Sequence, residues 1–265
     1  MTQLVFLKLG GSLITDKNLP HTANFEVIRF FAEEIKSALK TNPDLHLLLG
    51  HGSGSFGHVP ASKYHTREGV HSAEEWRGFV EVWSEASALN RIVVEQFKEA
   101  GLRVISLPPS ASMTSVNGAV NQWNTEPITH ALDHDLLPLI FGDVIFDRAL
   151  GGTIFSTEQL FSHLAHILQP ARILIAGIEP GVWMDFPACT QLVREITPST
   201  YPELSEKLFP SLAVDVTGGM AGKIKSMVEL VKQLPHLQAS IFNPMTPGTL
   251  REALQGSPVG TVIHS

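Results

Sequence analysis

The sequence predicts an α/β protein with a mostly parallel central sheet and helices on both faces. Three observations carry the prediction. Short apolar runs alternate with helix-like stretches along all 265 residues, the pattern of βαβ construction. Most of these runs are continuous and do not alternate in polarity, as strands buried on both faces require. The composition, 43% hydrophobic and 17% charged, supports a large core and argues against disorder. The length suits one large domain or two closely joined lobes, and a hinge near residues 165–172 would be unmarked by composition.

Strands are expected at 4–9, 45–49, 103–107, 137–141, 172–176, 239–242 and 261–263. Between the first two, Asn24 is an N-cap candidate for a helix carrying Phe25, Ile28, Phe31, Ile35 and Leu39 at helical spacing. A longer helix is expected over 72–99, stopping at Gly101. Further helices are expected over 156–168, 201–208, 220–233 and 247–254. Residues 144–147 and 153–155 flank Ala149-Leu150-Gly151-Gly152 and read as a β-hairpin beside the sheet. Residues 180–187, with two prolines, read as a surface loop.

The bulk numbers also exclude classes. A net charge of −7 is the wrong sign for a typical nucleic-acid binder. The one cysteine, Cys189, permits neither an intramolecular disulfide nor a cysteine-based zinc cage. No apolar run approaches the roughly 20 residues that span a bilayer, and the first residues lack a signal-peptide pattern. A cytoplasmic protein without membrane contact is expected.

Four stretches carry chemistry. In the first, Lys8-Leu9-Gly10-Gly11-Ser12 with Lys17, a strand delivers a lysine into a glycine turn whose N–H groups can form an anion nest. Taken alone it also reads as an ordinary turn with solvated lysines. The second, Gly50-His51-Gly52-Ser53-Gly54-Ser55-Phe56-Gly57-His58, repeats the arrangement after the second strand and opens toward a helix. Two phosphate loops on one sheet suggest a phosphoryl donor and an acceptor, because ligands of open α/β sheets bind at the C-terminal strand ends. His58 can donate to an oxyanion, whereas His51, just off the strand, reads as a core histidine. The third stretch places Asp143 directly after a buried strand, where an acid must be paired, used or turned into a cap. It continues to Ser156-Thr157-Glu158 at a helix start, where Glu158 suits the dipole and can also hold a lysine. The fourth, Asp215-Val216-Thr217-Gly218-Gly219-Met220 with Lys223, puts a cation in the first turn of a helix against the dipole, a placement that an anionic ligand would repair.

In this order, the four stretches resemble the amino acid kinase superfamily, and within it the isopentenyl phosphate kinases. The Gly-Ser-Phe-Gly-His run ending at His58 is the most specific part. The resemblance covers nearly the whole chain. It implies an open αβα sandwich in which residues 1–165 form the acceptor-binding lobe and 166–265 the lobe that binds most of the nucleotide. It implies transfer of the γ-phosphoryl group of Mg2+–ATP to an isoprenoid monophosphate, isopentenyl phosphate, and it implies a homodimer. It assigns Lys8 and Lys17 to the transferring group. Gly10, Gly11, Ser12, Gly54, Gly218, Gly219 and Lys223 fall on the nucleotide side. Gly52, Ser53, His58 and Thr157 fall on the acceptor side. An apolar tail would need a pocket, for which Trp76, Phe79, Val80 and Trp83 are candidates.

The chain departs from the family pattern at Ser53, where glycine is usual, and at Ser156-Thr157-Glu158, where Ser-Gly-Asp is usual. It departs again at 177–183, where the usual nucleotide-lobe motif is replaced. Two other readings therefore stay open: a related kinase acting on another small phosphate or phosphonate such as fosfomycin, and a non-catalytic nucleotide-binding regulator.

Overall fold

The computed structural model describes residues 3–16, 19–208 and 219–265 and places β1 (Gln3–Leu9) inside an eight-stranded sheet. The other members are β2 (Leu45–His51), β3 (Val104–Ser106), β6 (Leu137–Phe141), β9 (Arg172–Ala176), β12 (Glu195–Ile196), β13 (Gln238–Phe242) and β14 (Thr261–Ile263). Their order is β12-β14-β13-β9-β1-β2-β6-β3, and only the β13–β14 pairing is antiparallel. All seven expected strands are in this sheet. The two-residue β12 is too short to leave a pattern in the sequence. Strands before residue 142 lie on one side of the β1–β9 junction and those after 171 on the other, so a single sheet runs through both halves of the chain.

Side-chain alternation decides what each face holds. Val5, Leu7 and Leu9 of β1 and Leu47 and Leu49 of β2 pack with α2 (Phe25–Thr41), α4 (Ala73–Glu99) and α9 (Thr249–Gln255). Phe6 and Leu48 point the other way, onto α5 (Glu126–Asp133), α6 (Thr157–Leu168) and α8 (Gly219–Gln233). The Phe6 ring lies 5.0 Å from that of Phe161 on α6. Fully burying side chains such as Phe6, Phe31 and Phe97 contributes about 2–3 kcal/mol each in transfer free energy. The same alternation puts Lys8 on the α6 face and His51 on the α4 face, which sets the chemistry of the site.

The helices begin where the sequence gives caps. The Asn24 side chain accepts from the Val27 N–H at 3.3 Å. Ser72 and Glu75 form a reciprocal capping box at the start of α4, and Ser156 and Gln159 do so for α6. The remaining helices are α1 (Gly11–Ile14), α3 (Gly54–Tyr64) and α7 (Tyr201–Leu208). α3 changes the expected second loop: only Gly52 and Ser53 are loop, and Gly54 to His58 already wind into the helix.

A smaller sheet, β5-β4-β7-β8, sits beside the main one, built from β4 (Met113–Val116), β5 (Ala119–Trp123), β7 (Asp143–Asp147) and β8 (Gly151–Phe155). Its β7–β8 hairpin is the expected one; the β4–β5 hairpin has weak, polar strands. Asp147 joins both turns, accepting from Ser115 Oγ and from the N–H groups of Asn117, Gly118, Ala149 and Leu150 at 2.7–2.9 Å. Burial opposes its charge, but these donors prevail and hold its carboxyl far below the usual range. In the expected surface loop at 180–187, β10 (Val182–Trp183) pairs with β11 (Leu192–Val193), and Val182 is buried. Among the described residues, no helix is long and apolar enough to cross a membrane.

Candidate active site

The C-terminal ends of β1, β2, β6 and β9 meet at one edge of the sheet. Lys8 pairs in register with Gly50 and Ile175, and His51 with Leu9 and Phe141. Glycine brings the two loops into contact there. A β-carbon on Gly11 would collide with the Gly54 amide nitrogen, and Gly54 itself needs φ of +50°. Thr15 ties the two turns together: its hydroxyl donates to the Gly11 carbonyl at 2.8 Å and accepts from the Ser55 N–H at 3.0 Å. The starts of α1 and α3 therefore lie side by side. Among the described residues, no hydrogen bond takes up the N–H of Gly11, Ser12, Ser53 or Gly54.

Lys8 is 7% exposed and ion-paired with Glu158 at the start of α6. Burial pushes the lysine pKa down, Glu158 opposes the fall, and the Lys223 charge adds to it. Burial would raise Glu158, yet Lys8 and then Lys223 outweigh it and hold the carboxyl below its usual value. Lys223 on α8 thus acts on both members of the pair, which brings the first, third and fourth sequence stretches to one place. The site has two lysines against one carboxylate, a balance that favours a further anion. Gly219 begins α8 with φ of +39°. Lys17 and Gly218, expected on the phosphoryl and nucleotide sides, lie outside the described residues.

His58 is exposed on α3, one turn beyond the Gly52–Ser53 corner. Thr157, expected beside the acceptor, is instead interior. Its hydroxyl donates to the His51 carbonyl at 2.6 Å, and its methyl covers Gly50, where a β-carbon would come within 2.5 Å of Thr157 Cγ2 and 2.8 Å of Phe161 Cζ. Asp143 serves as a cap: it accepts from the N–H groups of Ser110 and Val144, while burial raises its pKa to about 6.

His51 is fully buried and stacked on Phe141 at 5.4 Å. Its Nδ1 meets the Gly52 carbonyl at 3.0 Å and its Nε2 meets the Asn90 amide at 3.1 Å. Burial, aided by the Lys8 charge against the pull of the Gly52 carbonyl, lowers its pKa to about 4. An unfolded histidine takes its proton near pH 6.5, whereas the folded one resists until about pH 4. The unfolded state binds more protons in that window, so stability should fall as pH drops from about 6.5 to about 4, by up to about 3 kcal/mol. Asp143 works with the opposite sign between its raised pKa and that of a free carboxyl. Urea unfolding of wild type and His51→Gln at pH 7 and pH 4.5 isolates the histidine. The variant should lose less stability between the two pH values, and equal losses would refute the assignment.

The expected apolar face of α4 is split. Trp76, Phe79 and Phe146 of β7 form a ring cluster with centroid separations of 5.1–6.0 Å. Val80 and Trp83 turn outward and are exposed. Sequence reasoning missed the roles of Phe146, Thr15 and Asn90: the first two stand inside stretches singled out for other residues, and Asn90 stands in none.

The model of the amino acid kinase family matches residues 3–243. An isopentenyl phosphate kinase of Methanothermobacter thermautotrophicus is 30% identical over 262 residues, covering 97% of each chain. One from Methanocaldococcus jannaschii is 31% identical over 266 residues, covering 98% of each. A solved isopentenyl phosphate kinase structure superposes with a TM-score of 0.81 at 27% identity, covering 98% of this chain and 100% of that one. A substrate complex of such a kinase superposes with a TM-score of 0.77 at 25% identity.

Proposed function

The chain belongs to the amino acid kinase family, and from that premise we propose that it moves the γ-phosphoryl group of ATP onto isopentenyl phosphate, giving isopentenyl diphosphate. The observation that carries this reading is the Lys8–Glu158 pair beside Lys223, set against two touching glycine turns with N–H groups to spare. Phosphoryl transfer needs positioning and charge neutralisation more than covalent help. A phosphate-monoester acceptor is largely a dianion at neutral pH, with a second pKa near 6. It needs no general base, but it needs donors that overcome repulsion between two anions.

The roles we assign are those the resemblance implies. Lys8, held by Glu158, meets the transferring phosphoryl group and neutralises charge that builds on its oxygens. Gly10, Gly11, Ser12, Gly219 and Lys223 hold the donor phosphates. Gly52, Ser53 and His58 hold the acceptor phosphate, with Gly54 between the two groups. The cationic and N–H donor set fits polyphosphate oxygens, and Mg2+ would ride on those oxygens and on water. Residues 1–165 carry the acceptor side and part of the donor-phosphate cradle, 166–265 carry most of the nucleotide side, and a homodimer accompanies this reading. Trp76, Phe79 and Phe146 would wall the apolar tail.

The test is ADP release by the purified protein with Mg2+–ATP and isopentenyl phosphate, beside dimethylallyl phosphate and fosfomycin. Turnover is expected on the isoprenoid phosphates. Turnover on fosfomycin alone would move the acceptor to a polar phosphonate. Silence on all three, with ATP still bound, would end the catalytic reading.

A further inference from the structure

We propose that Asn90 is a positioning residue for the acceptor-phosphate loop and acts through the His51 ring. The inference rests on the acceptor reading above. Asn90 lies on α4, is 6% exposed, and stands between two partners. Its Oδ1 accepts from Ser106 Oγ at 2.6 Å, and its amide nitrogen donates to His51 Nε2 at 3.1 Å. The His51 Nδ1 donates to the Gly52 carbonyl at 3.0 Å.

One proton arrangement satisfies the whole chain. The Gly52 carbonyl only accepts, so His51 must carry its proton on Nδ1. A neutral ring then leaves Nε2 as an acceptor, which requires the NH2 side of Asn90. That leaves Asn90 Oδ1 for the Ser106 hydroxyl. The main chain of His51 is fixed as well: its carbonyl accepts from Thr157 Oγ1 and from the Gly142 N–H.

The consequence reaches the loop through peptide geometry. The Gly52–Ser53 peptide is planar and trans, so its C=O and N–H point in opposite directions. Holding the Gly52 carbonyl against the buried ring turns the Ser53 N–H outward, where no described residue takes it up. Ser53 is one of the residues the resemblance puts on the acceptor side, and its N–H is a donor an acceptor phosphate can take. The orientation of that donor is thus set on α4, outside every motif of the sequence.

Asn90→Asp tests the inference at nearly constant volume. A carboxylate offers no donor to Nε2, so the ring proton should move there. The Nδ1 lone pair would then face the Gly52 carbonyl and release the loop. The KM for isopentenyl phosphate should rise about tenfold, within the roughly 100-fold that a 1 Å misplacement can cost, while the KM for ATP stays put. Imidazole 15N shifts should report Nδ1–H in wild type and Nε2–H in the variant. Should Asn90→Asp fail to fold, Ser106→Ala, which removes only the orienting hydroxyl, should raise the same KM several-fold. An acceptor KM unchanged in the folded variant, or wild-type shifts showing Nε2–H, overturns the proposal alone. A wild type without turnover on isopentenyl phosphate overturns the acceptor reading and this proposal with it.

Discussion

Lys8→Ala should lower kcat by about 100- to 1000-fold, the scale of losing one preorganised donor to a developing anion, with a far smaller change in the KM for ATP. The buried ammonium at the end of β1 is where the site concentrates positive charge, and Glu158 holds it in one orientation before any ligand arrives. Charge that grows on the transferring group therefore meets a group that need not reorganise. A rise in the KM for ATP at constant kcat would show that Lys8 only binds nucleotide.

Removing one member of a buried pair also strands the other, at about 3–5 kcal/mol if the charge persists. With Lys8 gone, burial acts on Glu158 with only Lys223 and a backbone hydrogen bond in opposition and should drive it to take up a proton. The double variant Lys8→Ala/Glu158→Gln should then regain stability while kcat stays low. That split separates the structural share of the pair from its share in transfer. In the wild type, burial has lowered the Lys8 pKa. The alkaline limb of kcat should accordingly begin at lower pH than an unperturbed lysine would give.

His58→Ala should raise the KM for isopentenyl phosphate about 10- to 100-fold, the range of one charge-assisted hydrogen bond. The side chain is exposed on α3, so the fold should be retained. The KM for ATP should hold. An unchanged acceptor KM would remove His58 from the acceptor side and would leave the specific Gly-Ser-Phe-Gly-His run without a function in binding.

The main sheet was legible because strands buried on both faces advertise themselves as continuous apolar runs. The edge at which the loops meet was legible because Lys8, Gly11 and Gly54 follow such runs directly. α3 was harder to delimit: Gly54, Gly57 and Pro60 all argue against helix, and contacts with neighbouring elements override them. The resemblance puts Thr157 toward the acceptor; its hydroxyl instead finds the His51 carbonyl and its methyl the space over Gly50, partners that no sequence motif announces. Trp76, Phe79, Val80 and Trp83 share one helical face, yet only the first two meet Phe146, because the small sheet covers just part of that face. Nothing distinguishes Asn90 from any other polar residue of a long amphipathic helix until His51 is seen beside it.

The fit of Thr157 and Phe161 over Gly50 constrains how this chain can change. A β-carbon at position 50 meets the threonine methyl and the phenyl ring at once. Alanine at 50 is therefore inaccessible as a first step and becomes acceptable only after position 157 has shrunk and the ring has shifted. Thr157 in turn anchors the strand that carries His51. The two positions form an epistatic pair, and the order of their substitutions is fixed by steric exclusion. A lineage with threonine at 157 keeps glycine at 50 for as long as that threonine and the Phe161 ring hold their places.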